Sequence, residues 1–367
     1  MLQRMKSPPG RVLMTLDAVG GVWRYAVDLA RGLKARGCTV VLAGLGPAPS
    51  PSQREECESI GEVVWLQTPP DWMTPSDKEL DGFSAELDAL VAAYEVDLVH
   101  LNCPSQACGI GLRCPVAVTS HSCVVTWFHA VRHTQVPQNW RWQYGRNRSG
   151  FDRADVVISP SAAHAALMQA CYGSIDRIQV VHNATAKGPA VSSRESFVFA
   201  AARWWDDGKN GTVLDEAAAD ARWPVCCAGP TEGPNGQRCK FRCVSALGEL
   251  DNREIRALMA RSGIFVSPSL YEPFGLAALE AARSAAPMIL ADIPTYRELW
   301  DGTALFFPPH DPMALAAAVN LLSEDRYLRW KLGMGAARRA RGYSFDQQVR
   351  RTLAAYESAS QHAWARG

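Results

Sequence analysis

Two places in the C-terminal half carry charged residues of the types and spacing that handle phosphates and hydroxyls. Arg203 and Lys209 lie six positions apart in FVFAAARWWDDGKN, just past an apolar run that reads as a strand. Open parallel sheets bind ligands at the carboxyl ends of their strands. There a planar guanidinium fork and a mobile ammonium suit a diphosphate, although solvated pairing with Asp206 or Asp207 accounts for the same residues equally well. Farther along, SPSLYEPFGLAALEAA places Glu272 in a turn punctuated by Pro273 and Gly275, and Glu280 inside an alanine- and leucine-rich helix. A helix starting near Phe274 puts Glu280 about two turns in, roughly 9 Å along the axis at 1.5 Å per residue. Carboxylates only accept hydrogen bonds and clasp vicinal hydroxyls, while the free N–H groups of a helix start favour an anion. Hydroxyl clasps flanking such a helix end are what a sugar nucleotide requires. The competing reading is a capping glutamate plus a structural one, and it leaves a carboxylate among alanines and leucines at a cost unless it finds a partner.

Near the start, LDAVGGVWRYAVDLA sets Gly20 and Gly21 between a strand and a helix, where bare backbone can approach an anion. The stretch reads as readily as a plain tight turn. It lacks the third glycine of GxGxxG, so a nicotinamide reading is weak. His121 closes VAVTSH, again at the carboxyl end of a strand-like run.

These residues need a scaffold. Short apolar runs (RVLMTL, TVVLAGL, VDLVHL, PVAVTSH, ADVVISP, RIQVVHN) alternate with helical patterns at about 22–36, 81–94 and from Ser161 onward. A second series follows AKGPAVSSRES: SFVFAAA, WPVCCAG, GIFVSPS, PMILAD and ALFFPP, with helices around 213–221, 251–262 and 295–300. Strands separated by helices mean parallel sheets with crossovers, so the expected class is α/β, two Rossmann-like doubly wound domains facing a central cleft. The 367 residues suit two cores. The boundaries expected are 1–186 for the first domain and 187–345 for the second. The strand-free tail from Asp311 onward is amphipathic, and its last helix, 346–367, is expected to pack back on the first domain.

Lys plus Arg is 38 against 37 for Asp plus Glu, so a net charge of +1 gives no field for nucleic acid. Eleven scattered cysteines read as reduced thiols of a cytoplasmic protein, and neither Cys226–Cys227 nor Cys239–Cys243 has the CxxC zinc spacing. MLQRMKSPPG is basic but has no long apolar continuation, and no run is long enough to span a bilayer, so the chain is expected to be soluble or peripheral. The segment WFHAVRHTQVPQNWRWQYGRNRSGFDR, basic and aromatic, reads as a helix with a solvated face, with acceptor binding or peripheral inner-membrane contact as the alternatives.

In this order on alternating α/β elements, EPFGLAALE, GGVWRYAVDLA, VTSH, VVHN, ARWWDDGKN and VCCAGP resemble the GT4 family of retaining GT-B glycosyltransferases, with its E-x7-E signature. The resemblance covers nearly the whole chain. It implies that Glu280 holds the ribose of a nucleotide-sugar donor, a UDP-sugar, with the base near Leu250 and Gly229. Glu272 and the backbone of Pro273, Phe274, Gly275 and Leu276 would hold the donor sugar. Arg203 and Lys209 would neutralise the leaving diphosphate without a metal or other cofactor, Gly20 and Gly21 would lie against the donor, and His121 would face the hydroxyl acceptor, a sugar, glycan or lipid-linked glycan. The implied catalytic set is therefore Glu272, His121, Arg203 and Lys209. The product would be an α-glycoside, as in polysaccharide biosynthesis. The sequence departs from the family pattern at Ser122, where an aspartate is usual, and at Ala202 and Ala184, where glycines are. A nucleotide-sugar epimerase on the same fold and a non-catalytic sugar-nucleotide binder are the alternatives, and the oligomeric state stays open.

Overall fold

The computed structural model describes residues 9–18, 21–186, 193–234 and 236–366. The chain divides into two compact units, Met1–Asn183 with Phe345–Gly367, and Ala184–Ser344. Most of the expected linker, 187–192, lies outside the described residues, as does Gly20.

The first unit is built on seven parallel strands: β1 (Arg11–Asp17), β2 (Thr39–Leu45), β3 (Glu62–Trp65), β4 (Leu98–Leu101), β5 (Val116–Thr119), β6 (Val156–Ser159) and β7 (Ile178–Val180), in the spatial order β3-β2-β1-β4-β5-β6-β7. Its helices are α1 (Gly21–Lys34), α2 (Pro51–Glu58), α3 (Phe83–Ala93), α4 (Val124–Trp127), α5 (Arg141–Arg153) and α6 (Ala162–Tyr172). Because helices cover both sheet faces, the strands are continuous apolar runs rather than alternating ones, and two separate cores form on the two faces. The order reverses between β1 and β4, whose neighbours leave in opposite directions. At the carboxyl ends of that pair the connecting loops part.

The second unit repeats the plan with six parallel strands. These are β8 (Glu195–Ala201), β9 (Val225–Ala228), β10 (Ser245–Ala246), β11 (Ser262–Ser267), β12 (Met288–Ala291) and β13 (Leu305–Phe307), ordered β10-β9-β8-β11-β12-β13. Its helices are α7 (Gly211–Ala218), α8 (Asn252–Arg261), α9 (Leu276–Arg283), α10 (Pro294–Trp300), α11 (Pro312–Glu324) and α12 (Arg326–Ala340). Here the reversal falls between β8 and β11.

The last helix, α13 (Phe345–Arg366), belongs to the first unit. It buries Val349, Thr352, Ala355, Tyr356, Ala359 and Ala363, a stripe at helical spacing, and packs on α1, β5 and β6. Gly32 of α1 makes room for it, since a Cβ there would stand 2.3 Å from Val349 Cγ2. A buried polar bond fixes its register: His100 Nδ1 meets Tyr356 Oη at 2.6 Å while Nε2 meets Thr119 Oγ1 at 2.7 Å. A neutral imidazole donates at one nitrogen and accepts at the other, so both are satisfied. Burial drives the His100 pKa down to about 3, and that of buried His164 to about 4.

Two expectations follow. Tyr356→Phe strands a buried ring nitrogen and should cost about 1–3 kcal/mol in chemical denaturation; an unchanged midpoint would show that the tether does not hold α13. His100 and His164 have folded pKa values below the unfolded value of about 6.5, so their contribution is complete above that pH and is lost as pH falls from about 6.5 toward 4. Each adds a slope of up to about 1.4 kcal/mol per pH unit in that window. Urea midpoints measured at pH 7.5, 6 and 5 should fall accordingly, and a flat series would refute the assignment.

Candidate functional site

In the second unit the loops after β8 and β11 are sewn together. Asp206 accepts from Gly208 N at 2.9 Å and starts a single 3₁₀ turn, Asp207–Lys209. Asn210 ends it in the left-handed region (φ 58°), which asparagine tolerates, and its buried Nδ2 donates to Pro268 O at 3.1 Å and Pro309 O at 2.7 Å. Leu270 N then donates to Gly208 O at 2.8 Å. The result is a direct ion pair: Lys209 Nζ lies 2.6 Å from Glu272 Oε1, which also accepts from Ser269 Oγ at 3.1 Å. Only 15% and 16% of the two side chains are exposed. The sequence reading offered Lys209 to phosphate or to Asp206 and Asp207, and gave Glu272 a separate task, whereas the structure joins the two residues. Both bonds use one oxygen of Glu272, and two ammonium protons of Lys209 remain for other acceptors. Arg203, just past β8, is exposed, with its guanidinium carbon 5.6 Å from the Trp205 ring centroid.

Helix α9 starts at Leu276, two residues later than Phe274, because Gly275 adopts φ +83° and ends the turn in the left-handed region. Glu280 is therefore about 6 Å along the helix at 1.5 Å per residue, just over one turn in rather than two. Gly275 has no side chain to cap α9, and the N–H groups of Leu276, Ala277 and Ala278 precede the first helical bond, Leu279 N to Gly275 O. Pro273 has no N–H to offer, and Phe274 is an anchor, buried edge-on against Tyr343 at 5.7 Å. Gly275 also sits on Tyr296, whose hydroxyl bonds Ser267 Oγ at 2.6 Å, and a Cβ at 275 would come within 2.7 Å of that ring.

Glu280 has partners. Thr185 Oγ1 donates to Oε1 at 3.2 Å, and Asn252 and the charge of Arg256 act on it from α8. Burial still prevails and raises its pKa, against the opposing pull of Arg256, Thr185 and Asn252. Arg256 is placed by its own bond to Ala186 O at 3.0 Å. Leu250 is half-buried directly before Asp251, the N-cap of α8, and Gly229, past β9, donates to Gly248 O at 2.7 Å.

In the first unit His121 lies two residues past β5 and is partly buried. Asn102, at the end of β4, donates through Nδ2 to Thr15 O at 2.5 Å and through its backbone N–H to Thr15 Oγ1 at 2.9 Å. That fixes the amide flip, so Oδ1 accepts from His121 Nε2 at 2.9 Å and the proton is on Nε2. The Tyr25 ring packs edge-on at 4.3 Å. Burial, then His100 and His164, hold the His121 pKa down to about 3, so the ring is neutral. Gly21 is the exposed first residue of α1. No group of three His, Cys, Asp or Glu side chains fit for a metal occurs among the described residues, and no helix there is long and apolar enough to cross a membrane.

Residues 19–185 match the family model Glycosyltransferase Family 4, and residues 242–339 match Glycosyl transferases group 1. The chain belongs to the GT4-type glycosyltransferases. Among curated relatives, glycogen synthase of Mycobacterium tuberculosis (strain ATCC 25618 / H37Rv) is 35% identical over 117 residues, 31% of this chain and 28% of that protein. D-inositol 3-phosphate glycosyltransferase of Salinispora tropica is 31% identical over 163 residues, 40% of this chain and 33% of that protein. The matched segments thus span a third or less of those relatives. Among solved structures, sucrose-phosphate synthase from Thermosynechococcus elongatus superposes with a TM-score of 0.80 at 18% identity, over 95% of this chain and 98% of that one. Anabaena HepE in complex with UDP-glucose superposes with a TM-score of 0.72 at 18% identity, over 94% and 99%. They establish the GT-B fold.

The partners in this GT4-type chain that escape the sequence reading include Asn102, Thr185, Asn252, Arg256 and Ser269. Asn252 and Arg256 are one turn apart on α8, a visible spacing, but only the packing of α8 on α9 aims them at Glu280. The basic-aromatic segment turns out to be well occupied. Arg146 donates to Leu80 O at 2.9 Å, Arg148 to Ser174 O at 2.8 Å and Arg153 to Leu112 O at 2.7 Å, while Arg132 lies over Trp127 at 5.5 Å.

Gly275→Ala should cost about 1–3 kcal/mol from positive φ and the Tyr296 contact together. In a Tyr296→Leu background the penalty should shrink, because the contact goes and the φ remains; equal penalties in both backgrounds would remove Tyr296 from the account.

Proposed function

We propose that this GT4-type chain transfers a sugar from a nucleotide-sugar donor, a UDP-sugar, to a hydroxyl acceptor with retention, forming an α-glycosidic bond as in polysaccharide biosynthesis. One observation carries the reading. At the carboxyl ends of β8 and β11 a Lys209–Glu272 pair, an uncapped start of α9 and a partnered Glu280 follow one another in one unit. A nucleoside diphosphate sugar presents a ribose diol, two phosphates and sugar hydroxyls in that sequence. Glycogen synthase by its name, and HepE by its complex with UDP-glucose, are consistent with such chemistry.

In this proposal Glu280 accepts from the ribose hydroxyls and Asn252 and Arg256 hold it in place. Leu250 and Gly229 border the base. Arg203 and the two remaining protons of Lys209 meet the diphosphate, whose charge grows as the sugar leaves, and preorganised cations are worth most on charge that develops in the transition state. They take the part a divalent metal would otherwise play. Glu272, steadied by Lys209 and Ser269, accepts from the sugar hydroxyls with its second oxygen. The incoming hydroxyl gives its proton to a leaving phosphate oxygen on the same face. Neutral His121 acts as a hydrogen-bonding group with a bare Nδ1 and brings no charge of its own. With Ser122 after it, that neighbour supplies no carboxylate base.

Calorimetric titration with nucleoside diphosphates and UDP-sugars tests the donor site. UDP should bind, and Glu280→Ala should weaken it by roughly ten- to a hundredfold, the worth of hydrogen bonds to a charged group. Glu272→Gln should instead lower turnover by on the order of a hundredfold at nearly unchanged UDP affinity. Unchanged UDP affinity in Glu280→Ala would discredit the ribose assignment. Incubation with UDP-sugars and acceptors, followed by NMR of the anomeric proton, should show free UDP and an α-linked product. Epimerised donor without UDP release, or binding without turnover, would overturn the transferase reading.

A further inference from the structure

The outward face of α12 departs from what a solvated helix face should carry. Helix α12 rests on the second unit through Leu332, Gly333, Ala336 and Ala340, all buried, so its opposite side is fixed and presented to solvent. That side, at i, i+3, i+4, i+7 and i+11, holds Tyr327 (68% exposed), Trp330 (60%), Lys331, Met334 (44%) and Arg338. The rings of Tyr327 and Trp330 lie 5.9 Å apart. Single exposed apolar residues are ordinary, but three large ones in one helical stripe are not. Residues 326–341 contain six cations and no carboxylate. Arg329 and Arg339 are held by backbone carbonyls, Leu322 O and Ser323 O for the first and Asp301 O for the second. Arg326, Lys331, Arg338 and Arg341 are exposed.

We propose that this face docks the second unit onto an anionic phospholipid surface. Tyrosine and tryptophan seat their rings at the headgroup level with the polar edge wet, and methionine fills the acyl boundary beside them. Long cations around such a stripe reach lipid phosphates, while the carboxylates next to it in sequence are engaged, Asp325 as the N-cap of α12 and Glu324 in a pair with Arg222. Because α12 is already folded and packed, docking orders no new segment. A two-fold partner copy fits the same face poorly: an isologous contact sets the stripe against itself, cation against cation. For 127–153 membrane contact is one of the alternatives in the sequence, but Arg146, Arg148 and Arg153 there are spent on carbonyls and carboxylates of their own unit, whereas on α12 Arg326, Lys331 and Arg338 stand exposed beside the held Arg329 and Arg339. The inference is independent of the reaction the protein catalyses.

Cosedimentation of the full chain with vesicles of phosphatidylcholine alone, or with about a third phosphatidylglycerol, tests it. Binding is expected only to the anionic vesicles, weakening as salt rises. Lys331→Gln with Arg338→Gln should lower the partition coefficient on the order of thirtyfold, about fivefold per cation. Tyr327→Ser with Trp330→Ser should also release the protein, while Trp140→Ser with Tyr144→Ser should not. All six positions are at the surface, and matching thermal transitions confirm intact folds. The proposal is overturned if anionic vesicles fail to bind, if the α12 variants bind like wild type, if the Trp140/Tyr144 variant is the one released, or if sedimentation velocity shows a dimer that only the α12 variants lose.

Discussion

A parallel strand whose two neighbours are reached by crossovers on opposite faces leaves its carboxyl end uncovered, because the two outgoing loops turn away from each other. This constraint acts at β1 and β4 in the first unit and at β8 and β11 in the second. Polar contacts that bridge loops in both units are attached to these points. Thr15, Asn102 and His121 join strand ends in the first unit, and Asn210, Lys209 and Glu272 do so in the second. The fold makes the gap, and side-chain amides cross it. In both units an asparagine does the crossing, since its amide can donate to a carbonyl of the neighbouring segment where a strand N–H no longer reaches.

The Lys209–Glu272 pair is costly to keep for stability alone. Two charges with about 15% exposure lose hydration, and such a pair often does no better than an apolar substitute. Its geometry makes sense as a prepared state: each partner prevents the other from being an uncompensated charge in a partly dry place, and each keeps bonding capacity toward a ligand of opposite sign. Glu280 follows the same logic more weakly, since burial outweighs Arg256, Thr185 and Asn252 and raises its pKa. A ribose diol would add two donors to that carboxylate and shift the balance toward the ionised form.

The strands were legible because a doubly covered parallel sheet writes itself as uninterrupted apolar runs, and every run read as a strand is one. What the runs could not signal was a half-exposed edge. Helix α2 buries only Cys57, and β3 beside it is partly exposed, so neither has an apolar period, although the Ser50–Gln53 capping box marks the start of α2 in the sequence. Propensity favours helix from Phe274, whereas α9 starts at Leu276 because Gly275, in contact with Tyr296 from a distant part of the sequence, takes a positive φ. The charged residues of the candidate site were visible by type, but their pairing was not. That Lys209 meets Glu272 rather than Asp206 or Asp207 depends on Asn210 binding Pro268 and Pro309, 58 and 99 positions away.

Composition misleads most where two segments share it. Residues 127–153 and 326–341 are both rich in arginine and aromatic side chains, and the first stands out in the sequence because its tryptophans are denser. Folding reverses their standing. In the first, Arg146, Arg148 and Arg153 bond carbonyls that loops leave unpaired, so the charge serves to close the fold. In the second, Leu332, Gly333, Ala336 and Ala340 fill the inward side of α12, Arg329 and Arg339 bond carbonyls at its flanks, and Tyr327, Trp330, Lys331, Met334 and Arg338 are left exposed. A cation's task is therefore set by how many orphan carbonyls lie within its reach. Around α12, which packs chiefly on α9, Arg329 and Arg339 reach such carbonyls and Arg326, Lys331 and Arg338 do not.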